Sequence, residues 1–229
     1  MIPATTRLVG LLGHPVAHSL SPRMQNAAFA ARGLDFAYVA LDVPPEQLED
    51  AVRGLVALGF AGANVTAPHK LTVGALDLVE ADVSSVNTLV FRDGRVEGHS
   101  TDAAILDGLP AERPVILGDG GSARAFAEAL PHARTFSRRG DWPPEVSGAD
   151  LVVNATSARG EVLVTLDAGQ TLVDLPYPDT ATAEAARAGG ARVVGGLEVL
   201  VAQGAAAFEL WTGVPAPVPV LRAAVDLPA

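Results

Sequence analysis

The 229-residue chain has no cysteine, which excludes disulfides and thiolate metal sites. Its five histidines, His14, His18, His69, His99 and His132, include no H-E-x-x-H helix pair, and no catalytic metal is expected. It lacks any run of eighteen apolar residues, so no membrane-spanning helix is expected. Near the N-terminus the only charge is Arg7, and the apolar run breaks at Gly13-His14-Pro15, so no secretory leader is expected either. A cytoplasmic location fits these absences. Cations are scarce: 16 Lys and Arg stand against 26 Asp and Glu, for a net charge of −10, which argues against nucleic acid as a partner. A local cationic cleft for an anionic ligand remains compatible with that balance. What is abundant is apolar side chain, 49% of the residues, enough for one large or two small cored domains.

The densest chemistry lies in Gly62-Ala63-Asn64-Val65-Thr66-Ala67-Pro68-His69-Lys70. On a strand, Asn64 and Thr66 share a face. Pro68 ends the strand and can open a helix, where its missing N–H is no loss. Lys70 then falls in the first turn, next to the positive end of the helix dipole. That position disfavours an ammonium, so Lys70 is either turned to solvent or held there for chemistry.

Hydrophobic runs and turn residues divide the chain into two α/β patterns. In the first, strands at Arg7 to Leu12, Phe36 to Asp42 and 60–66 alternate with helices at Ser21 to Arg32 and Pro45 to Leu58. Gly33 and Gly59 are the helix stops. This order predicts a parallel sheet. Asp93-Gly94 joins Val86 to Phe91 with Arg95 to Glu97 as a hairpin. The second pattern has strands at Pro114 to Leu117, Ala133 to Phe136, Leu151 to Asn154, Thr171 to Leu175 and Arg192 to Val194. Its helices are Ala123 to Leu130 and Thr180 to Ala188. Two further helices, Leu197 to Trp211 and Val218 to Val225, close the chain. The expectation is an α/β fold of two domains facing each other across a cleft. The first covers 1–101 and is completed by 203–229; the second, 102–202, is a doubly wound Rossmann-type unit.

The second pattern opens with Gly118-Asp119-Gly120-Gly121-Ser122-Ala123 between a strand and a helix. Gly118 permits a tight turn, Gly120 lets backbone approach a pyrophosphate, and Ala123 allows the helix to pack on the strand. Gly121 and Ser122 would bring main-chain N–H groups to phosphate. An ordinary strand–turn–helix connection is the alternative. Where NAD sites carry an acidic residue after the next strand, this chain has Ser137-Arg138-Arg139, donors suited to a 2′-phosphate. A solvated arginine pair is the alternative. Asp119 should repel a diphosphate unless turned aside.

Several segments together resemble the shikimate dehydrogenase family: Ser19-Leu20-Ser21-Pro22, the Gly62 to Lys70 stretch, Val86-Asn87-Thr88, Gly98 to Asp102, the glycine loop, Asn154-Ala155-Thr156-Ser157, Asp174 to Pro178, Gln203-Gly204-Ala205 and Phe208 to Gly213. The match runs in order from about Gly10 to Gly213. The resemblance implies an N-terminal substrate-binding domain, an NADP-binding domain and C-terminal helices returning to the first. It implies NADPH-dependent reduction of 3-dehydroshikimate to shikimate, in aromatic amino-acid (chorismate) biosynthesis. The implied partners are small molecules, for a monomer or homodimer. It assigns proton handling to Lys70 and Asp102. Ser19 and Ser21 would hold the substrate carboxylate, with Tyr177 reaching it from the cofactor domain, while Thr66, Asn87 and Gln203 contact the substrate. Ser137, Arg138, Arg139, Thr156 and Gly196 join the glycine loop at the cofactor. Ser21 and Asp102 also read as helix N-caps, and Asn64 as structural. Gln25, Ser84-Ser85, Ser100, Arg139 and Val199 depart from the family pattern; Ser100 should loosen the loop bearing Asp102. A quinate or aminoshikimate dehydrogenase, or a non-catalytic NADPH- or shikimate-binding regulator, are the rival readings.

Overall fold

The computed structural model describes residues 3–228. The chain divides into two compact units, Met1–Thr101 with Val201–Ala229, and Asp102–Leu200.

In the first unit, strands β1 (Arg7–Gly13), β2 (Phe36–Asp42) and β3 (Gly62–Val65) are parallel, with β1 central. Their crossovers are helices α1 (Ser21–Ala31) and α2 (Leu48–Ala57). Gly33 and Gly59 follow these helices with φ of 63° and 75°, the left-handed backbone that glycine accepts without strain. Short helix α3 (Lys70–Gly74) and a two-residue strand β4 (Val79–Glu80) lead to the hairpin β5 (Thr88–Arg92) and β6 (Arg95–His99). Asp93 and Gly94 both have positive φ, 50° and 77°, as a tight two-residue turn of this hand requires. The resulting sheet runs β2-β1-β3-β5-β6-β4, with β5 antiparallel to β3.

The second unit holds β7 (Pro114–Leu117), α4 (Gly121–Ala129), β8 (Arg134–Phe136), β9 (Leu151–Asn154), β10 (Thr171–Asp174), α5 (Ala181–Ala188) and β11 (Arg192–Val194). All five strands are parallel, in the order β11-β10-β9-β7-β8. Both faces are buried, so the strands read as continuous apolar runs. Val115, Leu117, Val152 and Leu172 pack in one core layer, while Ile116, Leu151, Val153 and Val173 pack in the other.

Helix α6 (Gly196–Thr212) carries the chain from the second unit back into the first, and α7 (Val218–Ala224) ends there. Trp211, on α6, donates its indole N–H to the Leu89 carbonyl at 3.0 Å. Phe208 stacks on Phe29 with ring centroids 5.3 Å apart. Both aromatics are core groups. Two glycines admit this helix. A methyl at Gly204 would meet Met24 at 2.3 Å, and one at Gly62 would meet the Leu89 carbonyl at 2.3 Å and the Trp211 indole nitrogen at 2.5 Å.

Several local expectations are corrected. Ser21 is the first helical residue of α1, not its N-cap; Leu20 takes the cap position without a side-chain bond. The Ser21 N–H is instead met by the Ser19 hydroxyl at 3.2 Å. Pro68 stays in a turn and α3 begins at Lys70, with His69 as its cap residue. Pro45–Gln47 is a separate 3₁₀ turn before α2. Strand β6 runs past Glu97, where the sequence pattern ends it, and closes at His99. Gly62→Ala should destabilise the chain by about 1–3 kcal/mol, since the new methyl strikes main chain and displaces Trp211. Urea denaturation checks this; an unchanged midpoint would contradict the close packing of α6.

Candidate active site

The polar residues of the first unit gather where β3 and β6 end and β5 begins. The ladder pairs Asn64 with Thr88 and Thr88 with His99, which brings three polar side chains to neighbouring strands. Asn87, just before β5, is buried and organises the rest. Its Oδ1 accepts from the Thr101 N–H at 2.7 Å. Its Nδ2 donates to Thr101 Oγ1 at 2.9 Å and to Gln203 Oε1 at 3.3 Å. Asn64 supports this from below: its Nδ2 donates to the Asn87 carbonyl (3.1 Å) and Thr88 Oγ1 (3.0 Å), and its Oδ1 accepts from the Tyr38 hydroxyl (2.8 Å). Both ends of its amide are thus used within the fold, which makes Asn64 structural. Burial pushes the Tyr38 phenol pKa upward, against the hydrogen bond from Ser21, so it stays a neutral donor.

Lys70 opens α3, and its carbonyl accepts from the Val86 N–H at 3.0 Å. That bond joins the start of α3 to the segment bearing Asn87. Thr66 has room because Gly13 lacks a side chain; a methyl there would lie 2.4 Å from Thr66 Cγ2. Ser19 and Ser21 sit together at the start of α1. Thus Ser19, Ser21, Thr66, Lys70, Asn87 and Gln203 all belong to the first unit.

Sequence reading missed what Gln25 does. It is fully buried on α1, and its Nε2 donates to the Gly204 carbonyl at 2.9 Å, fixing α6 beside Gln203. An amide among the apolar residues Met24, Ala28 and Phe29 was the available signal. In the loop bearing Asp102, Thr101 makes the bonds to Asn87, while the Ser100 hydroxyl is buried without a hydrogen-bond partner. His14 and His18 stand four apart, but in a loop, and His14 Nδ1 lies 2.6 Å from Asp42. Among the described residues no group of three or more His, Asp or Glu could hold a metal.

In the second unit, Asp102 is the buried first residue of a 3₁₀ turn, Asp102–Leu106. Tyr177 lies on the loop between β10 and α5. Gly118, after β7, has φ of 122°, and a methyl there would meet the Ala155 carbonyl at 3.0 Å. Gly120 then caps α4 in extended conformation with open space around it. Ala123 is buried against Ile116 and Phe126, so its part is helix packing. Beside the turn is a cavity of about 500 Å³, lined by Gly118, Gly120, Ser137, Arg138, Arg139 and Thr156, among others. Asp119 is turned to Arg139, 3.7 Å from its Nε. Gly196 does not line this cavity; it packs against Leu175 and Pro176, whose carbonyls would lie 2.4 Å from a methyl there. Val199 is a core residue of the second unit. Under the cavity, Asn154 Oδ1 accepts from the Thr156 N–H (3.1 Å) and hydroxyl (2.8 Å). Asn154 is held by buried Asp174 (2.6 Å), which also accepts from the Thr180 hydroxyl at 2.8 Å.

An all-parallel sheet with a glycine turn between its first strand and helix makes this a Rossmann-type α/β protein with a second α/β unit. Residues 11–89 match the shikimate dehydrogenase substrate binding domain, and residues 196–225 the shikimate 5′-dehydrogenase C-terminal domain. The chain belongs to the shikimate dehydrogenase family. It is 44% identical to the NADP(+) shikimate dehydrogenase of Anaeromyxobacter dehalogenans, covering 95% of each chain. It is 43% identical to that of Moorella thermoacetica, covering 96% of this chain and 92% of the relative. The Thermus thermophilus shikimate 5-dehydrogenase, solved in complex with NADP(H) and shikimate, superposes with a TM-score of 0.84 at 32% identity, over 96% of this chain and 99% of the other.

Burial raises the Asp174 carboxyl pKa, while the Thr180 and Asn154 hydrogen bonds pull it back toward the ionised form. Both partners are donors, so Asp174→Asn sets an N–H against one of them and should lose about 1–3 kcal/mol of stability. A raised folded-state pKa means that the wild-type group stabilises most below its unfolded pKa, and loses that contribution as pH rises through the folded value. The deficit of the variant should therefore be larger at pH 4 than at pH 7 in urea denaturation. Equal stability at both would contradict this account of the network.

Proposed function

We propose that this chain reduces 3-dehydroshikimate to shikimate with NADPH, reversibly, in aromatic amino-acid (chorismate) biosynthesis. The observation that carries this reading is the buried Asn87 amide holding Thr101 and Gln203 beside the segment that opens with Lys70. A cyclohexene acid with several hydroxyls calls for such a set of neutral, fixed hydrogen-bonding groups. In this reading 1–101, completed by 203–229, binds the substrate and 102–202 binds NADP. Both reactants are soluble metabolites, and a cytoplasmic location belongs to the same reading.

The residues present fit a phosphorylated dinucleotide. The glycine turn keeps side chains clear of the start of α4, and Arg138 and Arg139 supply charged donors at the adjoining cavity. When bound, NADPH supplies the hydride. Reduction of the C3 carbonyl adds that hydride to carbon and a proton to oxygen. Lys70 delivers the proton, and takes it back in the reverse direction; Asp102 shares the hydrogen bond to the reacting oxygen. Asn87, Gln203 and Thr66 orient the ring, and Ser19, Ser21 and Tyr177 hold the carboxylate, which does not change in the reaction. Gly118, Gly120, Gly121 and Ser122 would hold the pyrophosphate, Ala123 keeps α4 on its strand, and Ser137 and Thr156 would complete this side of the cofactor cavity, with Gly196 letting α6 start close against Leu175 and Pro176. A regulator that only senses shikimate would need no proton-handling group, so the presence of Lys70 and Asp102 favours the enzyme.

Lys70→Ala should lower kcat by roughly 10²–10⁴-fold while shikimate still binds in calorimetry. A variant keeping more than about half of the wild-type kcat would remove Lys70 from the reaction. Arg138→Ala should weaken NADPH binding by about 1–2 kcal/mol, discounted for an exposed side chain, and leave NADH nearly unchanged. Equal losses for the two cofactors would withdraw the 2′-phosphate assignment.

A further inference from the structure

Two arginines at the end of β8 suggest a strongly cationic pocket, but the structure shows a balanced one. Arg138 is ion-paired with Glu161, and Arg139 lies 3.7 Å from Asp119. All four side chains line the same cavity, and their formal charges cancel. The guanidinium of Arg138 also lies over the Trp142 ring, 5.3 Å from its centroid. With a face covered by indole, its N–H edge is what remains for an anion, and Glu161 accepts from one nitrogen of that edge, Nη2. The main chain of Glu161 is held in place by the fold. Its carbonyl accepts from the hydroxyl of buried Thr182 at 3.2 Å, and the same hydroxyl accepts from the Leu163 N–H at 3.0 Å. The Ala181 N–H donates to the Arg159 carbonyl at 2.8 Å. The segment is thus laced to the first turn of α5, which sets the Glu161 main chain within reach of Arg138.

From this geometry we infer that Glu161 is a cofactor-specificity residue, an internal anion that competes with the 2′-phosphate of NADPH for Arg138. The inference rests on the reading of Arg138 as the 2′-phosphate contact. A carboxylate and a phosphate both accept from guanidinium donors, so the Glu161 carboxylate competes with a phosphate for Arg138. They also repel when both are near. Against a ribose that carries a free 2′-hydroxyl, the same carboxylate is a hydrogen-bond acceptor. Glu161 therefore narrows the preference for NADPH over NADH that two arginines alone would set.

The test is binding, not turnover. NADPH and NADH are titrated by nicotinamide fluorescence, and 2′,5′-ADP by calorimetry, at fixed low salt. The proteins are wild type, Glu161→Gln, Arg138→Ala and the double variant. Glu161→Gln is isosteric at a half-exposed position; it removes the charge and keeps one acceptor oxygen for Arg138. It should tighten NADPH and 2′,5′-ADP by roughly three- to tenfold, with NADH unchanged or weaker. The gain should vanish in the double variant, because it acts through Arg138. A gain below twofold, or one shared equally by NADH, overturns the inference while leaving the Arg138 assignment intact if Arg138→Ala still weakens NADPH selectively. If Arg138→Ala does not separate the two cofactors, the assignment and the inference fall together.

Discussion

The substrate side of this protein depends on one side-chain amide. Asn87 is buried, and its amide binds on both sides: Oδ1 accepts from the Thr101 main chain, and Nδ2 donates to Thr101 and Gln203. Those bonds tie the start of β5, the residues after β6 and the helix α6 to a single point. Inside a protein such a network is rigid when satisfied and costly when broken. That rigidity is what a site of neutral donors and acceptors needs, since an unfixed amide gives little selectivity between hydroxyl patterns. Asn64 and Tyr38 beneath it, and Gln25 behind α6, extend the same constraint into the core.

The second unit solves a similar problem with a charge. Asp174 is buried at the end of β10, and its two donors, Asn154 and Thr180, lie at the end of β9 and the cap of α5. Asn154 in turn holds the Thr156 turn beside Gly118. The loops at the carboxyl ends of the parallel strands are therefore positioned by buried polar contacts. Ligands of open α/β sheets bind at these ends. The ion pairs around the arginines are a softer layer, exposed and exchangeable, and suited to tuning affinity.

Much of the fold was legible because the signals were local. Strands β2, β7, β9 and β11 have the bounds that their apolar runs predict, and Asp93-Gly94 turns the hairpin as expected. The β7 to α4 connection follows from glycine alone. The misses share a cause: tertiary partners decided them. Ser21 reads as a cap, but Ser19 meets its N–H and the Tyr38 phenol takes its side chain. Strand β4 is two residues long and exists by pairing with β6. The strand signal of β6 fades after Glu97, yet the ladder with Thr88 extends to His99. The neutralisation of Arg138 by Glu161 spans 23 residues of chain and carries no motif. Likewise, Gln25 becomes intelligible only once Gly204 is seen against it.

The central claim is that this chain's fixed amides and hydroxyls, with Lys70, carry out hydride exchange between shikimate and NADP. The most direct measurement is the initial rate of cofactor reduction by the wild-type chain with shikimate or quinate, each paired with NADP⁺ or NAD⁺. The account predicts the highest kcat/KM for shikimate with NADP⁺. Reduction only with quinate, or none with either acid, would contradict it.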